Sequence, residues 1–342
     1  MKKLLNTLYV LTPDSYLFCR NENVCIQIQG EEKLAVPALT IDSIVCFGKM
    51  TVSTPLLEFC GERGISVAFV SPQGRFMGRF YGPVSGNVLL RKRQYESIGQ
   101  EAFRSQLVKN LLLAKLRNSK LVLMRSARLC KSAAGKADLT EGAAHLGQIA
   151  GELLACESVD SMRGMEGAAA NVYFSHFDQM IANNPGGFRF ETRSRRPPRN
   201  EVNAALSFTY MLLTREVQSA LETVGLDPAV GYLHTLRPGR PSLALDMVEE
   251  LRAPLCDRFV MSLFNRGQLS DKDFEKGEEA VLLNDRGRRT LLSSWQKRKQ
   301  EEILHPFLEE KVQIGMIPYT QAMLLARVLR GDLDAYPPFI WR

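Results

Sequence analysis

The chain has 342 residues, enough for two cores of ordinary domain size, and its 45% hydrophobic and 24% charged content sits at globular averages. No stretch approaches the roughly 18 uninterrupted apolar residues of a membrane span. The opening Met1-Lys2-Lys3-Leu4-Leu5 is broken by Asn6, Thr7 and Thr12-Pro13-Asp14 with no small-residue cleavage site after it, so neither a membrane span nor export is expected. Lys plus Arg at 44 against Asp plus Glu at 37 gives a net charge of +7, which favours a polyanionic partner.

Up to about residue 83, short β-rich runs alternate with turn chemistry: Leu8–Leu11, Thr12-Pro13-Asp14, Tyr16–Cys19, Asn21-Glu22-Asn23, then Val24–Gln29 with period two. This predicts a meander of hairpins. One helix interrupts it, opened by Ser53-Thr54-Pro55 and closed between Gly61 and Gly64, before a strand over Ile65–Val70, a turn at Ser71-Pro72-Gln73-Gly74 and a last strand through Tyr81. The seven cysteines, at positions 19, 25, 46, 60, 130, 156 and 256, contain no CxxC pair. Most lie in apolar runs such as Ile44-Val45-Cys46-Phe47, and they read as buried, reduced thiols of a cytoplasmic protein, neither a disulfide framework nor a zinc site.

Gly82-Pro83 to Gly86 marks a boundary, after which the apolar period changes to about 3.6, with stripes at Leu107, Val108, Leu111 and Leu112, at Ala204, Phe208, Met211 and Leu212, and at Ala244, Val248 and Leu251. The expected fold class is α+β in two domains: a β-rich, β-sandwich-like domain over 1–83, a linker and helix start over 84–100, and a larger all-α catalytic domain over 101–342.

Along that helical part, Glu166 is followed by Ala169, Ala170, Tyr173 and Phe174 at helical spacing, which puts its carboxylate on an apolar stripe. Such a group is either paired, for instance with Arg163 on the same face, or bound to a metal. Arg189, Arg193, Arg195, Arg196 and Arg199 are five arginines in eleven residues, interleaved with Phe188 and Phe190. Their forks match phosphate oxygens, as on a duplex-backbone track, with a solvated face or a subunit contact as the alternatives. A second basic set, Arg286, Arg288, Arg289, Lys297, Arg298 and Lys299, would extend that track.

The chain has four histidines, and His234 lies on the loop Gly231-Tyr232-Leu233-His234-Thr235, followed by Arg237, Arg240 and two prolines. A loop that presents a histidine is a better functional candidate than a helix that packs one, which packing or capping explains for His145, His176 and His305. Twelve residues on, Asp246, Glu249 and Glu250 share one face of an amphipathic helix over Ser242–Arg252. They form either a solvated face or, with the imidazole, a hard-donor set suited to magnesium or manganese. Walker A, GxGxxG and GxSxG patterns are absent, so a nucleotide cradle, a dinucleotide cofactor and a serine elbow have no support.

The succession of a β-rich domain, Glu166, the arginine-rich segment leading into Asn203-Ala204-Ala205-Leu206-Ser207-Phe208-Thr209-Tyr210, Gly231-Tyr232-Leu233-His234, and Ser242-Leu243-Ala244-Leu245-Asp246 with Glu249 resembles the universal CRISPR integrase, the Cas one family, across essentially the whole chain. The arginine-rich turn and the ending Pro337-Pro338-Phe339-Ile340-Trp341 look most like its type I-C branch. The resemblance implies a magnesium or manganese ion held by Glu166, His234 and Glu249, with Asp246 beside them as a fourth catalytic residue. It implies strand transfer, in which a spacer 3′-hydroxyl attacks repeat DNA, with activity falling as the imidazole protonates. Arg163, Arg237 and Arg240 join Arg189, Arg193, Arg195, Arg196 and Arg199 as the expected DNA-binding set. Homodimerisation through the β domain, a partner of the Cas two family and an additional spacer-processing nuclease are also implied. Two rival readings stay open: a stand-alone structure-selective repair nuclease, and a non-catalytic DNA-binding assembly protein.

Overall fold

Apolar alternation in the first 80 residues folds into eight short strands: β1 (Asn6–Val10), β2 (Tyr16–Arg20), β3 (Asn23–Ile28), β4 (Glu31–Pro37), β5 (Ile41–Phe47), β6 (Thr51–Val52), β7 (Ser66–Val70) and β8 (Phe76–Phe80). The computed structural model describes residues 6–72, 76–80, 82, 88–181 and 184–341. Met1–Leu5, the turn residues Gln73 and Gly74, the expected strand end at Tyr81 and the boundary at 83–86 lie outside the described residues. Asn21 and Glu22 both take positive φ, 48° and 62°, which matches the right-handed twist of the strands they join and makes the tight β2–β3 hairpin.

A meander of hairpins is only part of what forms. The strands make two small sheets, ordered β1-β5-β7-β8 and β4-β3-β2-β6. The pairs β1/β5, β5/β7 and β2/β6 are parallel, and the antiparallel pairs are β2/β3, β3/β4 and β7/β8. The physical reason is in β5, where Ile41 and the run Ile44–Phe47 are buried as in a strand flanked on both sides, a nearly continuous apolar pattern typical of parallel pairing. Period two reports which face a side chain takes but not strand direction. Leu17, Val24, Ile44, Cys46 and Val67 from the two sheets share one core with Leu56 and Cys60 of helix α1 (Thr54–Glu62), whose first turn is capped by Ser53 Oγ accepting from Leu56 N at 3.3 Å.

The chain forms two compact units, Met1–Gly86 with Leu292–Glu301, and Asn87–Leu291 with Glu302–Arg342. The second carries α2 (Val88–Ser97), α3 (Glu101–Leu129), α4 (Ala133–Ala155), α5 (Val159–Ser175), α6 (Phe177–Met180), α7 (Glu201–Thr223), α8 (Ser242–Leu251), α9 (Arg258–Asn265), the start of α10 (Asp285–Gln300), and α11 (Ile317–Arg330). Its expected all-α character needs a correction. Two short antiparallel ladders form, β9 (Phe274–Lys276) with β10 (Val281–Leu283), and β11 (Glu302–Leu304) with β12 (Lys311–Gln313). Three-residue strands are too short to show a period of two, which is why the sequence pattern does not reveal them. Between α8 and α9 the helix widens into a π-helical turn, Arg252–Asp257, at Pro254, which has no N–H to give an ordinary helical bond.

Candidate functional site

The site is built from the middle of α3, the middle of α5, the loop 231–234 and the middle and last turn of α8, all within the second unit. On α5, Glu166 lies one turn before buried Ala169 and two before buried Tyr173, and its side chain keeps 24% of its surface exposed. Its partner is Lys115 of α3, whose ammonium forms an ion pair with Glu166 Oε1 and lies 2.7 Å from Glu249 Oε2. Arg163, the partner offered by helical spacing, instead donates from Nη2 to Leu233 O at 2.8 Å and from Nη1 to Asp160 at 2.6 Å. Through Arg163, α5 is therefore tied to the residue preceding His234.

Asp246 organises the histidine loop. Its Oδ2 accepts from Tyr232 N at 2.6 Å and Leu233 N at 3.0 Å, and its Oδ1 accepts from His234 N at 2.9 Å and pairs with His234 Nδ1 at 2.6 Å. Four contacts on a fully buried carboxylate leave it as the group that fixes the loop and the ring, with Nε2 as the ring's remaining nitrogen. Gly231 makes this approach possible: a Cβ there would fall 2.6 Å from the Ser242 carbonyl carbon and 2.8 Å from Asp246 Oδ2.

The three carboxylates of α8 do not form a solvated face. Asp246, Glu249 and Glu250 are all buried, each with its own partners. Glu249 Oε1 accepts from Arg252 Nη2 at 2.7 Å. Burial alone would raise the Glu249 pKa, but the cations of Arg252 and Lys115 outweigh it and hold the carboxyl well below the usual carboxylate range. Glu250 points elsewhere, accepting from Phe339 N at 2.7 Å, Gln321 Nε2 at 3.1 Å and the Tyr336 hydroxyl, and burial pushes its pKa up to about 7.

Lys115 and Arg252 are the residues that motif reading missed. A signal existed for Lys115, which continues the stripe Leu107, Leu111 and Leu112 of α3 and is itself buried, a position where an ammonium needs an acid. Arg252 follows Glu249 by three, a helical ion-pair spacing.

The arginines separate into two kinds. Arg195, Arg196, Arg199 and Arg237 are exposed, Arg240 is half-buried, and Arg189 is exposed but paired with Asp178 at 2.7 Å. Arg193, half-buried, is held differently. Its guanidinium turns inward to Asn203 Oδ1 at 2.7 Å and Ser207 Oγ at 3.0 Å, lies over the Tyr210 ring at 5.3 Å, and burial lowers its pKa to about 10. The second basic set divides likewise: Arg289 and Lys297 are exposed, Arg286 is exposed but pairs with Asp273 at 3.0 Å, Arg298 pairs with Glu301, and Arg288 and Lys299 are buried. Among the other histidines, His305 is buried against Gln321 at 3.1 Å and His176 ends α5 facing Asp138 at 2.9 Å, whereas His145 is exposed, so packing does not explain it.

Among the described residues, no three His, Cys, Asp or Glu side chains stand grouped as a ready metal-holding set, and the Lys115 ammonium lies between the two glutamates. The cluster nonetheless suits a divalent cation in its chemistry. Two carboxylates and an imidazole are hard oxygen donors with one nitrogen. The buried Glu249 Oε2 accepts no well-aligned hydrogen bond even with the ammonium 2.7 Å away.

A β-rich unit followed by a helical unit that pairs two carboxylates on a lysine, one helical turn from a buried aspartate that holds an imidazole, defines the α+β class of this protein. The family model described as CRISPR associated protein Cas1 matches residues 8–297. Over their full lengths, the chain is 48% identical to CRISPR-associated endonuclease Cas1 2 of Rhodospirillum rubrum across 349 aligned residues, and 46% identical to CRISPR-associated endonuclease Cas1 1 of Chlorobaculum tepidum across 343. The chain belongs to the Cas1 family. In fold it is similar to a casposase bound to integration product, with a TM-score of 0.84 at 20% identity over 99% of this chain and 95% of that one.

Proposed function

We propose that this chain is a divalent-metal-dependent DNA endonuclease and integrase of CRISPR adaptation, joining the 3′-hydroxyl of spacer DNA to phosphodiesters of repeat DNA. The observation that supports it most is the pairing of Glu166 and Glu249 on one positive charge, that of Lys115, with Asp246, one turn before Glu249 on α8, fixing His234. Glu166, Glu249 and His234 would hold a magnesium or manganese ion, and Asp246 would position the imidazole. When bound, the cation supplies Lewis-acid stabilisation of charge on the scissile phosphate. The chain's own residues do the rest. Asp246 keeps His234 in one orientation, Arg252 and Lys115 keep Glu249 ionised, and exposed Arg195, Arg196, Arg199 and Arg237 hold phosphate oxygens of the duplex. In the joining step the incoming oxygen bonds to phosphorus as the repeat's own 3′ oxygen leaves, so one phosphodiester replaces another and no energy source is needed.

Two copies would pair through the β-rich unit, as the family resemblance implies, and the edge strands of its two four-stranded sheets suit strand pairing. A dimer of the small Cas2 subunit would sit between two such pairs, with a separate nuclease trimming spacers, in an adaptation complex of the type I-C kind. A stand-alone repair nuclease is the second reading, since the same cluster serves water as well as a 3′-hydroxyl. Labelled spacer duplex incubated with supercoiled repeat DNA, with and without the Cas2 partner, separates the two: joined product is expected only with magnesium or manganese and is abolished by chelation. Glu166→Ala, His234→Ala and Glu249→Ala should each lower joining by more than about 100-fold, and Asp246→Asn by about 10–100-fold. Joining that survives Glu166→Ala and His234→Ala would leave the assembly-protein reading in place.

A further inference from the structure

We propose that Leu236 is an apolar wedge that enters the base stack of the target duplex beside the phosphate addressed by His234; the inference rests on the DNA-joining function proposed above. The loop changes character at the imidazole. Residues 231–233 are buried, His234 is half-buried, and residues 235–239 are exposed, so the chain emerges from the protein immediately after the histidine. Leu236 stands at this tip with 55% of its surface exposed. Other strongly exposed apolar side chains, Leu39, Val88, Leu129 and Leu154, lie away from the loop that carries a site residue.

A wedge must be stiff, because stacked bases push back on whatever parts them. The backbone behind Leu236 is braced in this sense. Ser242 Oγ donates to Thr235 O at 3.1 Å, Arg240 N donates to Arg237 O at 3.1 Å, Ser242 N donates to Arg240 O at 2.9 Å, and Pro238 and Pro241 restrict φ on either side of Gly239, which turns the chain at φ +72°. Arg237 and Arg240 flank the tip, and among the described residues neither pairs with a carboxylate. A single leucine between cations offers too little apolar area for a protein partner, and its surroundings suit a polyanion whose interior is apolar and stacked. Duplex DNA has that chemistry. Target choice at this position then follows the ease of unstacking, with pyrimidine–purine steps favoured and no base-edge hydrogen bond required.

The test uses the full chain with its Cas2 partner, a spacer duplex bearing 3′-hydroxyls, and two linear targets that differ by one mismatch at the step next to the joining point. Leu236→Ala is expected to slow joining about tenfold on the paired target and to come within about twofold of the unsubstituted protein on the mismatched one, where unstacking is already cheap. Leu236→Met, which keeps a long apolar tip, should stay near the unsubstituted rate on both. Equal slowing on both targets, or none on the paired one, overturns the wedge. A 2-aminopurine at the same step reads unstacking without chemistry, brightening with the unsubstituted protein and not with Leu236→Ala. If that signal appears while no target is joined, the integrase reading falls and the wedge stands; if joining is normal and the signal is absent, the reverse holds.

Discussion

Lys115 sets the balance of charge in the acidic cluster, since its ammonium faces both Glu166 and the buried Glu249. Replacing it by methionine keeps the volume and removes the charge. Breaking a buried ion pair from one side costs about 3–5 kcal/mol, because the partner is left buried and unpaired. Lys115→Met is therefore expected to lower the melting temperature of metal-free protein, and millimolar manganese should restore more of that loss than it adds to the unsubstituted protein. Equal manganese shifts in the two proteins would show that the glutamates do not share a cation. That Glu166, set on an apolar stripe, needs a partner is legible in the sequence. The division of labour between Asp246 and Glu249 is not, since both lie on one helix face and only the loop amides that reach Asp246 tell them apart. Arg193 shows a related limit of the sequence: arginine clustering shows charge, and whether the guanidinium faces water or Asn203 depends on the fold.

At the scale of elements, helix positions were readable wherever a cap and a period agreed. Ser53 before Thr54-Pro55 marks the start of α1 and Gly61 to Gly64 its end, whereas the Asn200 cap of α7, which accepts from Asn203 N at 2.8 Å, is seen in the structure. Strand direction was not readable, because alternation is the same in parallel and antiparallel pairs. The far end of α7 supplies a pH test. Burial first, and the neighbouring Asp227 second, raise the Glu222 pKa from the usual carboxylate range to about 8. The folded chain keeps this proton to a higher pH than the unfolded chain, so its stabilising contribution is complete below about 4.5 and is lost as pH rises through about 8. Glu222→Gln removes the loss. Its melting temperature should match the unsubstituted protein near pH 4.5 and exceed it increasingly towards pH 8.5, by about 2–4 kcal/mol in stability. A difference that does not change with pH would mean that Glu222 is ionised in the fold.

At the scale of the molecule, the net charge of +7 is not spread evenly through the arginines first assigned to DNA. Arg195, Arg196, Arg199 and Arg237 face solvent, whereas Arg193 is held inside. Binding of an unrelated duplex should fall steeply with salt, and each exposed arginine changed to alanine should reduce the slope of log affinity against log salt by about 0.9. Arg193→Ala should instead leave the slope unchanged and lower the melting temperature. Fluorescence anisotropy titrations at several salt concentrations measure the first effect and thermal unfolding the second.

Helix α10 begins in one compact unit and ends in the other, and its later turns return to the first strand, where Gln296 Nε2 donates to Thr7 O at 2.9 Å. The amino-terminal unit is thus finished by residues made some two hundred positions after its last strand. During synthesis the last turns of α10 leave the ribosome only after most of the helical unit, so the amino-terminal unit gains these contacts late. Cleavage of the chain near residue 86 would also leave them covalently tethered through residues 291–292 and 301–302, so a protease attacking that link could not set either half free.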